Sequence, residues 1–341
     1  MNRSLHFISL TEFGQVIERI DKYMTSTKMF EIINKYINVP PRVPNVQVYP
    51  AKQRIEINDK IAKVVFSLPD DNYDKLIEEN KSQGVVEVKN HKKFGKVRSS
   101  FKLQNADDYS DKIPPDEFDR AVLSVCISNW VEGNCYITPA IIYRGLTGKV
   151  NKKSDAEPSK DQLAAILRSI DKLMFTKFDP DVVEAFEQLK YANGDEVKIK
   201  KSALLPCYRV EFTINGQKSD VICFDRVSPL FTLANFKKQL ITYDCELLDI
   251  PKQQNTPTTI ALKNYVMRRI QEIKLHTLTP TLTFNDIFTK CRIDNNAHNE
   301  IKRRAREYVV KFFEHLKNKN VIKDFDVTKK HLTFYSVKFT Y

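Results

Sequence analysis

The sequence predicts an α+β chain in which one order of elements, three helices followed by a β-hairpin, occurs twice behind a smaller N-terminal segment. Three observations predict it. Between residues 116 and 174, apolar residues recur at helical spacing in three successive runs. The β-prone runs 208–214 and 219–224 flank Asn215-Gly216, a strong hairpin signal. The same order of elements then returns between residues 258 and 339. With 341 residues, 42% of them hydrophobic and 29% charged, the chain can bury more than one core.

The first segment opens with amphipathic helical stretches over 12–24 and 27–37, stopped by Pro40-Pro41. An alternating run follows over 54–66, then a short acidic helix over 71–80. Two β-like stretches, 84–88 and 97–103, are joined by a basic loop over 89–96. This reads as a small N-terminal α+β domain or extension, residues 1–112, and 105–115 reads as a linker rich in Asp and Pro.

In the middle segment, 113–250, an apolar helix runs from 116 to 130. A second helix has Thr138 as its N-cap, Pro139 at its first position and an end at Gly148. A third, 159–174, buries Leu163, Ile166, Leu167, Ile170 and Leu173, and a helical insertion over 181–191 precedes the hairpin. The last segment, 251–341, repeats this with helices over 258–275, 283–290 and 297–319 and a hairpin over 321–339. Helix, helix, helix, hairpin is the order of a winged helix. The predicted fold is therefore tandem winged-helix domains with an additional small N-terminal α+β domain.

Charge bears on function. The formal net charge is +12, and residues 251–341 hold 18 Lys plus Arg against 8 Asp plus Glu, so most of the excess sits in the last quarter. A charge so localised points to a polyanionic partner. A helix entering the major groove needs an apolar back and a polar, cationic front. In helix 297–319, Ile301, Ala305, Tyr308, Val309, Phe312, Phe313 and Leu316 make a wide apolar stripe. Lys302, Arg303 and Arg306 lie on the other face, with Arg304 on its flank. Because the N-terminal residues of such a helix enter most deeply, the expected DNA-binding residues are His298, Asn299, Lys302, Arg303 and Arg306. Lys329 and Lys330, in a wing turn expected at 328–331, would meet a phosphate or the minor groove. The matching helix of the first module presents Lys160, Gln162 and Arg168, but its front also carries Asp161 and Asp171. The bland reading of each set is a solvated surface.

Other signals are set aside. Residues 145–150 resemble a phosphate loop but lack its spacing and have Val150 where a hydroxyl would meet Mg²⁺. The six histidines never fall at metal-ligand spacing. Asp179 with Asp181, and Asp324 with Asp326, sit at turns or strand ends. Cys126, Cys135, Cys207, Cys223, Cys245 and Cys291 form no C-x-x-C pair and read as reduced, mostly buried thiols. No catalytic cluster, metal site or cofactor is expected. There is no run of eighteen apolar residues and no secretory signal, so a cytoplasmic protein without a membrane partner is expected.

With two successive winged-helix patterns in view, the chain resembles the plasmid-type replication initiators (Rep proteins) built from tandem winged helices. The resemblance rests on residues 208–212 with the strand to Phe224, then 236–243, 261–270 and 282–288, and it spans about residues 116–341. The N-terminal segment and the 181–191 insertion depart from it. The resemblance implies binding of double-stranded DNA at the repeats of an origin and recruitment of host replication proteins such as a helicase or its loader. It also implies a first module that contacts backbone or mediates homodimerisation, and a second that reads the repeat through Asn299, Lys302, Arg303 and Arg306. The alternatives are a winged-helix transcriptional regulator and, from another class, a nucleic-acid enzyme such as a nickase or primase.

Overall fold

The computed structural model describes residues 50–58, 62, 65–66, 85–90, 97–102, 115–151, 158–180, 202–214, 217–236, 238–276, 278–293, 298–330 and 333–341. The expected N-terminal helices, the acidic helix 71–80 and the 181–191 insertion lie outside them. Within the described residues the chain is of mixed helix and strand, an α+β fold.

Helix α1, Glu117–Val131, starts where Asp116 accepts hydrogen bonds from the Phe118 and Asp119 amides, and Asp119 returns one from the Asp116 amide at 2.9 Å. This reciprocal cap satisfies donors that a helix start otherwise leaves orphaned. Nearly every residue of α1 is buried, Glu117, Asp119 and Arg120 included, because it is packed on several sides. Strand β4, Tyr136–Ile137, leads into α2, Pro139–Thr147, capped by Thr138 and closed by Gly148 at φ 79°. Helix α3, Lys160–Phe175, begins on a second reciprocal cap, Ser159 with Gln162. It buries Ala165, Ile166, Ser169, Ile170 and Leu173, while Leu163 and Leu167, expected inside, are half-buried. Strands β7, Cys207–Ile214, and β8, Gln217–Phe224, form the predicted hairpin, and β4 pairs with β8, giving the sheet order β4-β8-β7.

The order then repeats. Helix α5, Pro257–His276, is followed by β10, Thr281–Thr283, and by α6, Phe284–Lys290, whose N-cap Thr283 accepts from the Asp286 amide. Helix α7, Asn299–Asn318, buries Ala305, Tyr308, Val309, Phe312, Phe313 and Leu316. Strands β11, Asp324–Lys330, and β12, Thr333–Thr340, form the last hairpin, and the short strand pairs with the second arm, giving β10-β12-β11. Ile301 departs from the expected stripe. It is 52% exposed, because the first turn of α7 extends past the core that the later turns cover. The hairpin turn expected at 328–331 also moves. A bulge between Thr328 and Lys329 carries the pairing on to Lys330↔Thr333, so Lys329 and Lys330 belong to the strand and the turn lies beyond them.

The two units share one continuous apolar core. Helix α5 packs on α1 and α2. Strand β1, Gln53–Ile57, pairs with β9, Leu240–Asp244, which follows α4, Pro229–Phe236. Only the start of the alternating run 54–66 is strand; Ala62 and Val65 are helical. The two β-like stretches before residue 112 form β2, Val85–Asn90, and β3, Val97–Lys102, and antiparallel pairing of β3 with β5, Lys177–Pro180, and of β5 with β6, Ser202–Ala203, completes the sheet β2-β3-β5-β6.

The inner face of β1 is charged. Arg54 is wholly buried and donates to the carbonyls of Ala121 at 2.9 Å and Gly145 at 2.6 Å. Glu56 accepts from Ser124 at 2.8 Å and from the Tyr243 hydroxyl at 3.1 Å. Partnering of this kind is what makes burial of charge tolerable.

Candidate nucleic-acid interface

Helix α7 is held on its own unit by six buried side chains, the first of them Ala305, and its first turn extends past them. His298 and Asn299 are exposed, and the His298 ring accepts the Glu300 amide at 3.3 Å. Arg303 is exposed but engaged. Its Nε and Nη2 donate to the two Glu300 oxygens at 2.8 and 2.7 Å, and its Nη1 donates to Glu307. Arg304 donates to the same Glu300 at 2.8 Å, and at 75% it is the most exposed of the four side chains. Hydrogen bonds from Arg303 and then Arg304 hold the Glu300 carboxyl down to about 2, and those from Glu300 and Glu307 raise the Arg303 guanidinium.

Lys302 and Arg306 do not share that outward face. Both are half-buried, and the Arg306 guanidinium stands 5.1 Å above the Phe288 ring of α6, where burial lowers its pKa. The expectation that Lys302, Arg303 and Arg306 form one cationic front is corrected. The outward row is Glu300, Arg303 and Glu307, with Glu314 two turns on, while Lys302 and Arg306 occupy the flank towards α6. The missed signal is the spacing Glu300, Arg303, Arg304, Glu307, at i,i+3 and i,i+4, which favours pairing along a helix.

The concentration of positive charge in the last quarter also has an interior share. Arg268 donates to Glu117 at 2.7 Å, Arg292 approaches Asp116 at 3.9 Å and Arg269 pairs with Glu272. Lys263 is buried against the carbonyls of Leu248 and Thr147. Two of these cations neutralise carboxylates of the first unit, so a count taken over residues 251–341 alone overstates what reaches the surface. Lys311, Lys319, Lys323 and Lys338 are exposed, as is Lys329 near the tip of β11.

In the first unit, Lys160 and Arg168 are exposed two turns apart on α3, with Asp161 and Ala164 between them. Gln162 is committed elsewhere: its oxygen accepts the Ser159 amide at 2.7 Å and its amide donates to the Asn255 carbonyl at 2.6 Å. Asp171, counted against this helix on sequence, is held by Arg209 of β7 at 2.6 Å, and that arginine also reaches Asp220.

Residues 145–148, which resemble part of a phosphate loop, form the C-terminal end of α2. A helix C-terminus presents carbonyls, the wrong polarity for phosphate. All six cysteines are free thiols, four of them buried. Among the described residues, no three His, Cys, Asp or Glu side chains gather as a metal site, and no helix is long and apolar enough to cross a membrane.

No family model matches the chain, and no curated protein matches it. Among solved structures it is similar to the Pi initiator protein in complex with iteron DNA, at 13% identity and a TM-score of 0.31, over 60% of this chain and 79% of that one.

Proposed function

We propose that the chain is a sequence-specific, duplex-DNA-binding protein built from two winged-helix modules, acting as a replication initiator by binding rather than by catalysis. The observation that carries the reading is the duplicated element order with its duplicated strand order. In both units the short strand between the first and second helices pairs with the second arm of the hairpin. In the second unit the third helix packs against its own sheet, which leaves its other face for a groove. In the second unit the free face carries Asn299, Arg303 and Arg304 at its N-terminal end, residue types that pair with adenine, guanine and phosphate. Lys302 and Arg306 on the flank, and Lys329 near the hairpin tip, would make the backbone contacts that set register. Origin recognition, and the host helicase or loader as a further partner, follow from the resemblance to tandem winged-helix initiators.

Footprinting on the DNA that surrounds the gene tests the reading, comparing wild type with an Asn299→Ala, Arg303→Ala, Arg304→Ala variant. The expected result is protection of regularly spaced repeats that the variant loses. Protection that ignores these substitutions would remove α7 from the interface, and absence of protection at any salt concentration would end the DNA-binding reading.

A further inference from the structure

We propose that Glu300 and Glu307 act as internal competitors for DNA phosphate, occupying the α7 arginines in the free protein and so limiting binding to DNA of arbitrary sequence. The inference rests on the DNA-binding reading above. The Glu300 carboxylate takes both Nε and Nη2 of Arg303, a two-pronged contact of the geometry in which a guanidinium grips phosphate. Glu307 takes the remaining Nη1, and Arg304 adds a third donor to Glu300. All four side chains are at least 37% exposed, so the network is open to solvent and exchangeable.

Two properties follow from that geometry. Exposed pairs of this kind add only a little to helix and folding stability. They do act on binding. A phosphate that engages Arg303 must displace a carboxylate that stays within one helical turn of it and repels the backbone. Fewer net charges are then neutralised per contact, which weakens the sequence-independent component of affinity and flattens its salt dependence. Base-edge contacts do not suffer this loss equally, since Asn299, one turn before Arg303 on the same face, is exposed and carries no charge. Discrimination therefore comes partly from what the helix withholds from non-specific DNA.

The test is titration of a mixed-sequence duplex, across a range of salt concentrations, with wild type, a Glu300→Gln, Glu307→Gln variant and a Glu314→Gln control. Glu314 is exposed on the same face, about three turns from the arginines. Matching thermal unfolding curves show that all three fold. The expected result is roughly five- to tenfold tighter binding by the double variant at low salt, with a salt slope steeper by about one to two, and a smaller change for the control. Equal affinity and slope in wild type and double variant would overturn the competitor role and leave the DNA-binding reading standing. An equal gain from Glu314→Gln would reduce the effect to net charge and overturn it as well. Weaker binding by the double variant would make the carboxylates direct contacts, for instance to a cytosine amino group. Absence of binding by all three proteins at low salt would overturn both the inference and the reading on which it rests.

Discussion

The Arg268 guanidinium on α5 donates to the Glu117 carboxylate on α1 at 2.7 Å, with both side chains 4% exposed. This joins the first helix of one unit to the first helix of the other. Burial disfavours the Arg268 charge, but Glu117 and Glu56 outweigh it and hold the group above the ordinary arginine value. Arg120 lies beside the pair, 3.9 Å from Glu117, and is lowered to about 10 by burial and by Arg268. One carboxylate thus neutralises parts of two buried cations.

Removing that carboxylate should therefore cost more than one ordinary contact. Glu117→Gln leaves Arg268 and Arg120 buried without it, and a loss of about 3–5 kcal/mol in urea unfolding is expected. The Glu117→Met, Arg268→Met double variant should lose less than the sum of the single changes, because apolar packing replaces the pair. A single-variant loss below about 1 kcal/mol would show that the pair does not hold the units together.

Gly148 and Gly133 separate two costs of replacing glycine. Both have positive φ, 79° and 92°. A Cβ on Gly133 meets nothing within 4 Å, whereas on Gly148 it would lie 2.5 Å from the Asp249 amide nitrogen and 2.5 Å from the Cys245 carbonyl oxygen. Gly133→Ala should cost about 1 kcal/mol of backbone strain. Gly148→Ala must also push apart α2 and the 3₁₀ turn Cys245–Leu248, and should cost at least about 2 kcal/mol. Equal losses in chemical unfolding would show that this junction yields to the added methyl group.

Legibility in the sequence followed the range of the signals. Thr138, Pro139 and Gly148 mark both ends of α2 within their own few residues, and Ser159 and Thr283 open helices that begin where read. The six-residue stripe of α7 was readable because helical periodicity is local. The faces of strand β1 are not legible from its own residues. Arg54 and Glu56 face inwards because their partners Ala121, Gly145, Ser124 and Tyr243, all remote in sequence, receive them. Strands β4 and β10 are too short to announce themselves; they exist because a hairpin edge receives them. At the candidate interface, the residues of α7 were legible as a set, but their division into an outward row and a flank depended on α6, whose Phe288 draws Arg306 aside.

If α3 also meets DNA, its two exposed cations should appear in the salt dependence. Lys160→Ala, Arg168→Ala should lower the slope of log affinity against log salt by about two, with little change in which sequences are protected. An unchanged slope would confine the interface to the second unit and leave α3 a solvated surface.

The pH dependence of stability should carry the signature of Lys263. Its ammonium donates to the Leu248 carbonyl at 2.8 Å, to Asn255 Oδ1 at 2.9 Å and to the Thr147 carbonyl at 3.5 Å, at the ends of α2 and of the 3₁₀ turn. Burial lowers its pKa to about 7 from the usual 10.5, with Asp249 opposing the shift and Arg54 and Lys149 adding to it. Between those values the unfolded chain binds more protons than the folded one, so this contribution to stability rises with pH and is lost as pH falls through about 7. The slope is at most about 1.4 kcal/mol per pH unit. Lys263→Met removes the titration but strands three acceptors, so its absolute stability is a poor readout; the informative quantity is the gap between wild type and variant. That gap should move in favour of wild type by about 1–2 kcal/mol between pH 7 and 8.5, read from urea midpoints, with the buried thiols common to both proteins cancelling. A gap that stays flat across that range would mean that the three acceptors keep the lysine charged, and that the junction between the units is insensitive to pH.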